Sequence, residues 1–109
     1  MIREAYSRYV THCLRFYARY RKPEFRSDID RHNWEACDNA LKLFSDSDRE
    51  TLLYIYRERD TIPDNIYRLA MSWGISQDNI WELVVKLERK VAELRGLAPC
   101  QTTAISPRN

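Results

Sequence analysis

Ser76, Gln77 and Asn79 form the short polar stretch best suited to reading another molecule. A carboxamide donates and accepts at once, so Gln77 or Asn79 can bond an adenine edge at two points in a major groove. The Ser76 hydroxyl can reach a phosphate or a base. Arg68 precedes the stretch, and Lys86, Arg89 and Lys90 follow it. Cations so placed would neutralise phosphates, which is where sequence-independent affinity for nucleic acid originates. Asp78 and Glu82 lie between them and repel phosphate unless one accepts from a cytosine amine. A second basic set, Arg8, Arg15, Arg19 and Lys22, recurs at helical spacing near the N-terminus and would support the same partner.

Other chemistries find less footing. His12 beside Cys13, and His32 near Cys37, lack the tight paired spacing of a structural zinc site, so no metal or other cofactor is expected. Cys13 and Cys37 fall on apolar seams and read as core thiols, whereas Cys100 lies near the C-terminus. The odd number of cysteines, without a CxxC pair, argues against a disulfide framework and for a reducing compartment. No Gly-rich phosphate loop, nucleophile elbow or zincin signature occurs, so neither an enzyme nor a small-molecule substrate is expected. The acids Asp28, Asp30, Glu35 and Asp38 suit the start of a helix rather than an acid–base pair.

The 109 residues amount to one domain, and 2 Gly with 4 Pro are too few for a turn-rich β fold. The longest apolar run, Leu52 to Tyr56, is far short of the ~20 residues a membrane span needs. No secretory apolar stretch follows Met1, so a cytoplasmic protein without a membrane partner is expected. The net charge of +2 is small but unevenly placed: residues 1–26 are strongly basic and residues 27–60 are acidic. That asymmetry suggests docking within the chain, with a basic face left for an acidic partner.

Helical periodicity organises the sequence into five helices, an all-α single domain. Ile2, Tyr6, Tyr9, Cys13, Phe16 and Tyr20 are spaced as one amphipathic seam, with Arg8, His12, Arg15, Arg19 and Lys22 opposite. The first helix should stop before Pro23. Ser27 or Asp28 can cap a second helix buried through Trp34, Cys37, Leu41 and Phe44. Ser47 and Glu50 read as a capping box for a third, which buries Leu52, Leu53, Ile55 and Tyr56. Pro63 fits the first turn of a fourth, carrying Ile66, Leu69, Ala70 and Trp73 and stopped by Gly74. Ser76 caps the last helix, which runs to about Arg95 before Gly96. The organisation is therefore 1–42, a basic helix and a second helix packed on the rest; 43–96, the remaining helices; and 97–109, a flexible tail.

Residues 66–85 meet the steric needs of a helix-turn-helix. Ala70 is small enough for close approach, Gly74 supplies the left-handed turn, and Ile75, Ile80 and Leu83 face back onto the first helix with Leu69 and Trp73. An ordinary helical hairpin satisfies the same pattern. With FSDSDRETLLYIY, IYRLAMSWGIS and DNIWELVVKLERKV, residues 43–95 resemble the C-terminal promoter-reading domain of bacterial sigma factors and their small phage-type relatives. The resemblance implies sequence-specific binding of duplex DNA by the opening of the last helix, as in a phage or prophage transcription regulator. Residues 1–42 have no counterpart in it.

Trp81 and Val85, with Ala92, form a second apolar stripe beside the core stripe Ile80, Val84, Leu87, Val91 and Leu94. Either the first two helices cover it, or it is a homodimer seam or a protein-docking face. Tyr17, off the seam of helix 1, is the best exposed aromatic candidate there. The alternative function is accordingly a small phage-encoded interaction module or inhibitor, docking through the Trp81 face on a host nucleic-acid enzyme such as a polymerase or nuclease.

Overall fold

The computed structural model describes residues 4–20 and 24–99. Lys22, Ile2, Cys100 and the tail beyond residue 99 lie outside the described residues. Five helices follow one another: α1 (Ser7–Arg19), α2 (Asp28–Leu41), α3 (Asp46–Arg57), α4 (Ile62–Trp73) and α5 (Gln77–Leu94). The all-α fold expected from periodicity is the fold observed, with no strand among the described residues. α1 lies against α2, α3 and α5; α5 also meets α2, and α4 packs on α3 and α5. No described helix is long and apolar enough to cross a membrane.

Four helices start on a hydroxyl that accepts an otherwise orphaned backbone N–H, each cap contributing ~1 kcal/mol. Ser27 accepts from Asp30, Ser45 from Asp48, Thr61 from Asp64 and Ser76 from Asp78, at 3.1–3.2 Å. The third helix departs from expectation here. Its cap is Ser45, not Ser47, which lies inside the first turn and whose backbone carbonyl accepts from Thr51 Oγ1 at 3.1 Å. Starting two residues earlier places both Asp46 and Asp48 at the positive end of the helix, where carboxylates are favoured.

The seam of α1 is turned by one residue from the predicted one. Ser7, Val10, Cys13 and Leu14 are buried, while Tyr9 is 41% and Tyr20 54% exposed. Val10 and Leu14 bury apolar surface with no polar atom to satisfy, whereas a phenol needs a partner for its hydroxyl. At the rim, Tyr9 finds one: its oxygen accepts from Asn33 Nδ2 at 2.7 Å. Tyr17 is then drawn inward instead of being exposed. Its ring lies 5.0 Å from that of Trp34, and its hydroxyl donates to Asp38 at 2.6 Å. Partial burial raises the Asp38 carboxyl, but bonds from Tyr17 and Lys42 outweigh it and hold the group below its ordinary value.

The core joins Val10 and Leu14 of α1, Cys37 and Leu41 of α2, Leu52, Ile55 and Tyr56 of α3, and Ile66 and Leu69 of α4 to the α5 stripe. Ile80, Val84, Leu87 and Val91 fill that stripe as expected. Ala92, assigned to the outer stripe, is fully buried, and Leu94, assigned to the core, is 45% exposed. Leu94 is the last residue of α5 and lines an open cleft with His32, Glu35, Ala36 and Asn39 of α2, and the small Ala92 fits where helices pack. Glu88 is buried as well and accepts from Tyr56 at 2.6 Å and Thr11 at 3.3 Å, tying α5 to α3 and α1.

Candidate functional site

The chain turns from α4 into α5 over residues 74–76, and the two helices pack on each other. Gly74 has φ +66°, a conformation that L side chains adopt at a cost, and it closes α4 by donating its N–H to the Ala70 carbonyl. The N–H of Ile75 reaches the same carbonyl at 3.1 Å. Ala70 is buried on the inner face with Leu69 and Ile80, and Ile75 and Leu83 pack half-buried against them. Trp73 does not complete that face: it is 57% exposed. It is the last residue of α4, so no later turn of the helix shields its ring.

The opening of α5 stands free of the core. Ser76, Gln77, Asp78, Asn79 and Glu82 are exposed, and Gln77 and Asn79 form no side-chain hydrogen bond among the described residues. Ser76 spends its oxygen on the helix cap, which leaves its O–H as donor. Two amides with free donors and acceptors therefore project from the first turn of a helix that sits on a corner.

The cations assigned to phosphates are less free than the sequence implies. Arg68 is paired with Asp60, which pushes its guanidinium pKa up. Arg89 Nε donates to Glu93 at 3.2 Å, and its other end donates to the Pro99 carbonyl at 2.9 Å. Lys90 also lies 3.6 Å from Glu93. The sequence shows these acids but not that one carboxylate, Glu93, serves both cations. Lys86 remains exposed without an ion pair among the described residues.

The basic face of α1 is also partly used inside the fold. Arg8 is exposed, but Arg15 is half-buried and binds backbone: its guanidinium donates to the carbonyls of Glu58 at 2.6 Å, Asp60 at 2.7 Å and Tyr56 at 3.3 Å. Burial, and the nearby Arg19, push its pKa down. Arg19 reaches the carbonyls of Arg57 and Glu58 at 3.3 Å. The one-residue turn of α1 explains both, since it carries this edge onto the C-terminus of α3, where the last carbonyls lack helical partners. Asn65, fully buried, completes the cap through Nδ2 to Ile55 at 2.9 Å and Asp60 at 3.1 Å.

Among the residues assigned to a protein interface, Tyr17 is occupied by Trp34 and Asp38. Trp81 is half-buried against the core, and Val85 is 38% exposed. The larger apolar exposure lies on α4, at Tyr67 (54%), Met71 (66%) and Trp73. Tyr67 and Met71 are one turn apart, about 100° round the helix from the buried Ile66 and Ala70, so their outward position was open to a helical-wheel reading. No group of three or more His, Cys, Asp or Glu side chains among the described residues is placed to hold a metal. His12 and Cys13 instead line a cleft of about 430 Å³ with Asp30 and Asn33, between α1 and the start of α2.

Comparison of the chain with protein-family models, curated proteins and solved structures returned no match.

Proposed function

We propose that the chain is a DNA-binding regulator of transcription that presents the opening of α5 to a major groove, with α4 as its supporting helix. The observation that carries this is the corner at Gly74, which leaves Gln77 and Asn79 exposed and unengaged on the first turn of α5. A helix N-terminus carrying carboxamides is matched to adenine edges, each two-point contact discriminating by about 1–3 kcal/mol. Enrichment of bound duplexes from a randomised pool tests it. Gln77→Ala and Asn79→Ala should each relax preference at one or two base positions while the helical content is kept. Preferences identical to those of the parent chain would contradict the assignment.

A second reading has its own observation. Tyr67 and Met71, one turn apart on α4, expose large apolar side chains on one face, and such a patch suits a protein partner. Docking on a nucleic-acid enzyme would then use α4 more than Trp81. Tyr67→Glu and Met71→Glu would abolish capture of such an enzyme and leave duplex binding intact. The DNA reading predicts no requirement for either side chain's hydrophobicity.

A further inference from the structure

Four arginines meet where α1 and α3 end. Arg15 and Arg19 are fixed by backbone carbonyls of residues 56–60, and Arg57 and Arg59 belong to that same stretch of chain. None of the four forms an ion pair among the described residues. By contrast, Arg31, Lys42, Arg49, Arg68, Arg89 and Lys90 all have carboxylate partners. Asp60, one of two acids in the corner, is committed to Arg68. The other, Glu58, is half-buried and pairs with none of the arginines.

The end of α3 calls for cations, because its last carbonyls carry partial negative charge. Arg15, Arg19 and Asn65 already meet that need. Arg57 and Arg59 are exposed and make no side-chain hydrogen bond among the described residues, so stability does not account for their charge. Four like charges borne on one end of the fold, two of them immobilised on carbonyls of residues 56–60, sustain a positive potential that bulk counterions only partly screen. Arginine also matches phosphate geometry through its planar fork of donors.

We infer that this arginine corner, with Arg57 and Arg59 as the contacting residues and Arg15 and Arg19 as its fixed charges, is the main seat for the phosphate backbone of a bound duplex. The inference rests on the DNA-binding reading and relocates its electrostatic contribution away from α5, whose Arg89 and Lys90 are already paired. It also explains how a chain with acidic Asp78 and Glu82 beside its reading amides can hold a polyanion: the charge that attracts and the groups that discriminate lie at different ends of α4.

The test is the salt dependence of binding to a fluorescent 24-base-pair duplex of random sequence, followed by anisotropy. Each lost phosphate contact lowers the slope of log affinity against log salt by about 0.9, roughly an eightfold loss at 0.1 M salt. Arg57→Gln with Arg59→Gln should lower the slope by almost two such steps. Lysine at both positions should largely restore it. Lys42→Gln, which removes a charge paired with Asp38, should change affinity little. A parent chain that binds the duplex, with a double variant of unchanged slope, would overturn the arginine corner and leave the DNA reading standing. An equal loss per charge in Lys42→Gln would also overturn it. A parent chain that binds no duplex would overturn both.

Discussion

Arg15 and Asn65 share acceptors, and this makes a quantitative prediction. The carbonyls of Glu58 and Asp60 accept from both side chains, whereas the Ile55 carbonyl accepts from Asn65 and the Tyr56 carbonyl from Arg15. Asn65→Ala strands the buried Ile55 carbonyl at a cost of about 1–3 kcal/mol. Arg15→Met keeps the apolar stem and removes bonds that are partly exposed, costing about 1–2 kcal/mol. In either single variant the remaining donor still serves the shared carbonyls. In the double variant the Asp60 carbonyl loses both donors and the Glu58 carbonyl keeps only Arg19, so the cost should exceed the sum of the singles by about 0.5–2 kcal/mol. Equilibrium urea unfolding followed by helical circular dichroism measures all three. Strict additivity would refute the shared-acceptor account, and an Asn65→Ala cost below about 0.5 kcal/mol would refute the role of the buried amide.

Ser45→Ala should cost ~1 kcal/mol and Ser47→Ala almost nothing in the same assay, because only Ser45 caps α3. Gly74→Ala should cost about 1 kcal/mol from its left-handed backbone alone, since an added Cβ meets no atom within 4 Å. Duplex affinity should survive that change because the corner keeps its shape, and a large loss would show that Gly74 acts in some other way. Burial pushes the Cys13 thiol up to about 11 and raises Cys37 too. The native thiols should therefore resist a maleimide in a Cys100→Ser chain and react in urea. The raised folded value also means that this stabilisation is complete below the unfolded thiol value and is lost as pH rises through about 9 to 11, which pH-dependent unfolding measures.

The backbone plan was legible because several local signals agreed at each boundary. Gly74, Pro63 and the hydroxyls of Ser27 and Ser76 have strong positional meanings, and each occupies the expected place or one of the two places offered. The rotation of α1 was not legible. A seam of tyrosines and a seam of Val10, Leu14 and Tyr17 fit the same period, and only tertiary partners for the phenols decide between them. The choice between Ser45 and Ser47 had the same character, since each precedes a run of acids. For the candidate site, the exposure of Gln77 and Asn79 followed from the corner. The pairing of Arg68 with Asp60, and of Arg89 and Lys90 with Glu93, depends on side-chain reach that spacing alone does not resolve. The arginine corner was hidden for a related reason: Arg15 and Arg57 are distant in sequence and become neighbours only when α1 lies along α3.

Backbone amide chemical shifts, followed while a duplex enriched from a random pool is added at low salt, address the groove-reading role of α5 most directly. Amides 77–82 should shift in a saturable manner together with those of Arg57 and Arg59, while those of the core residues Ala36, Cys37, Ala40 and Leu41 stay fixed. Saturable shifts confined to other surfaces, or none at any duplex concentration, would contradict that role.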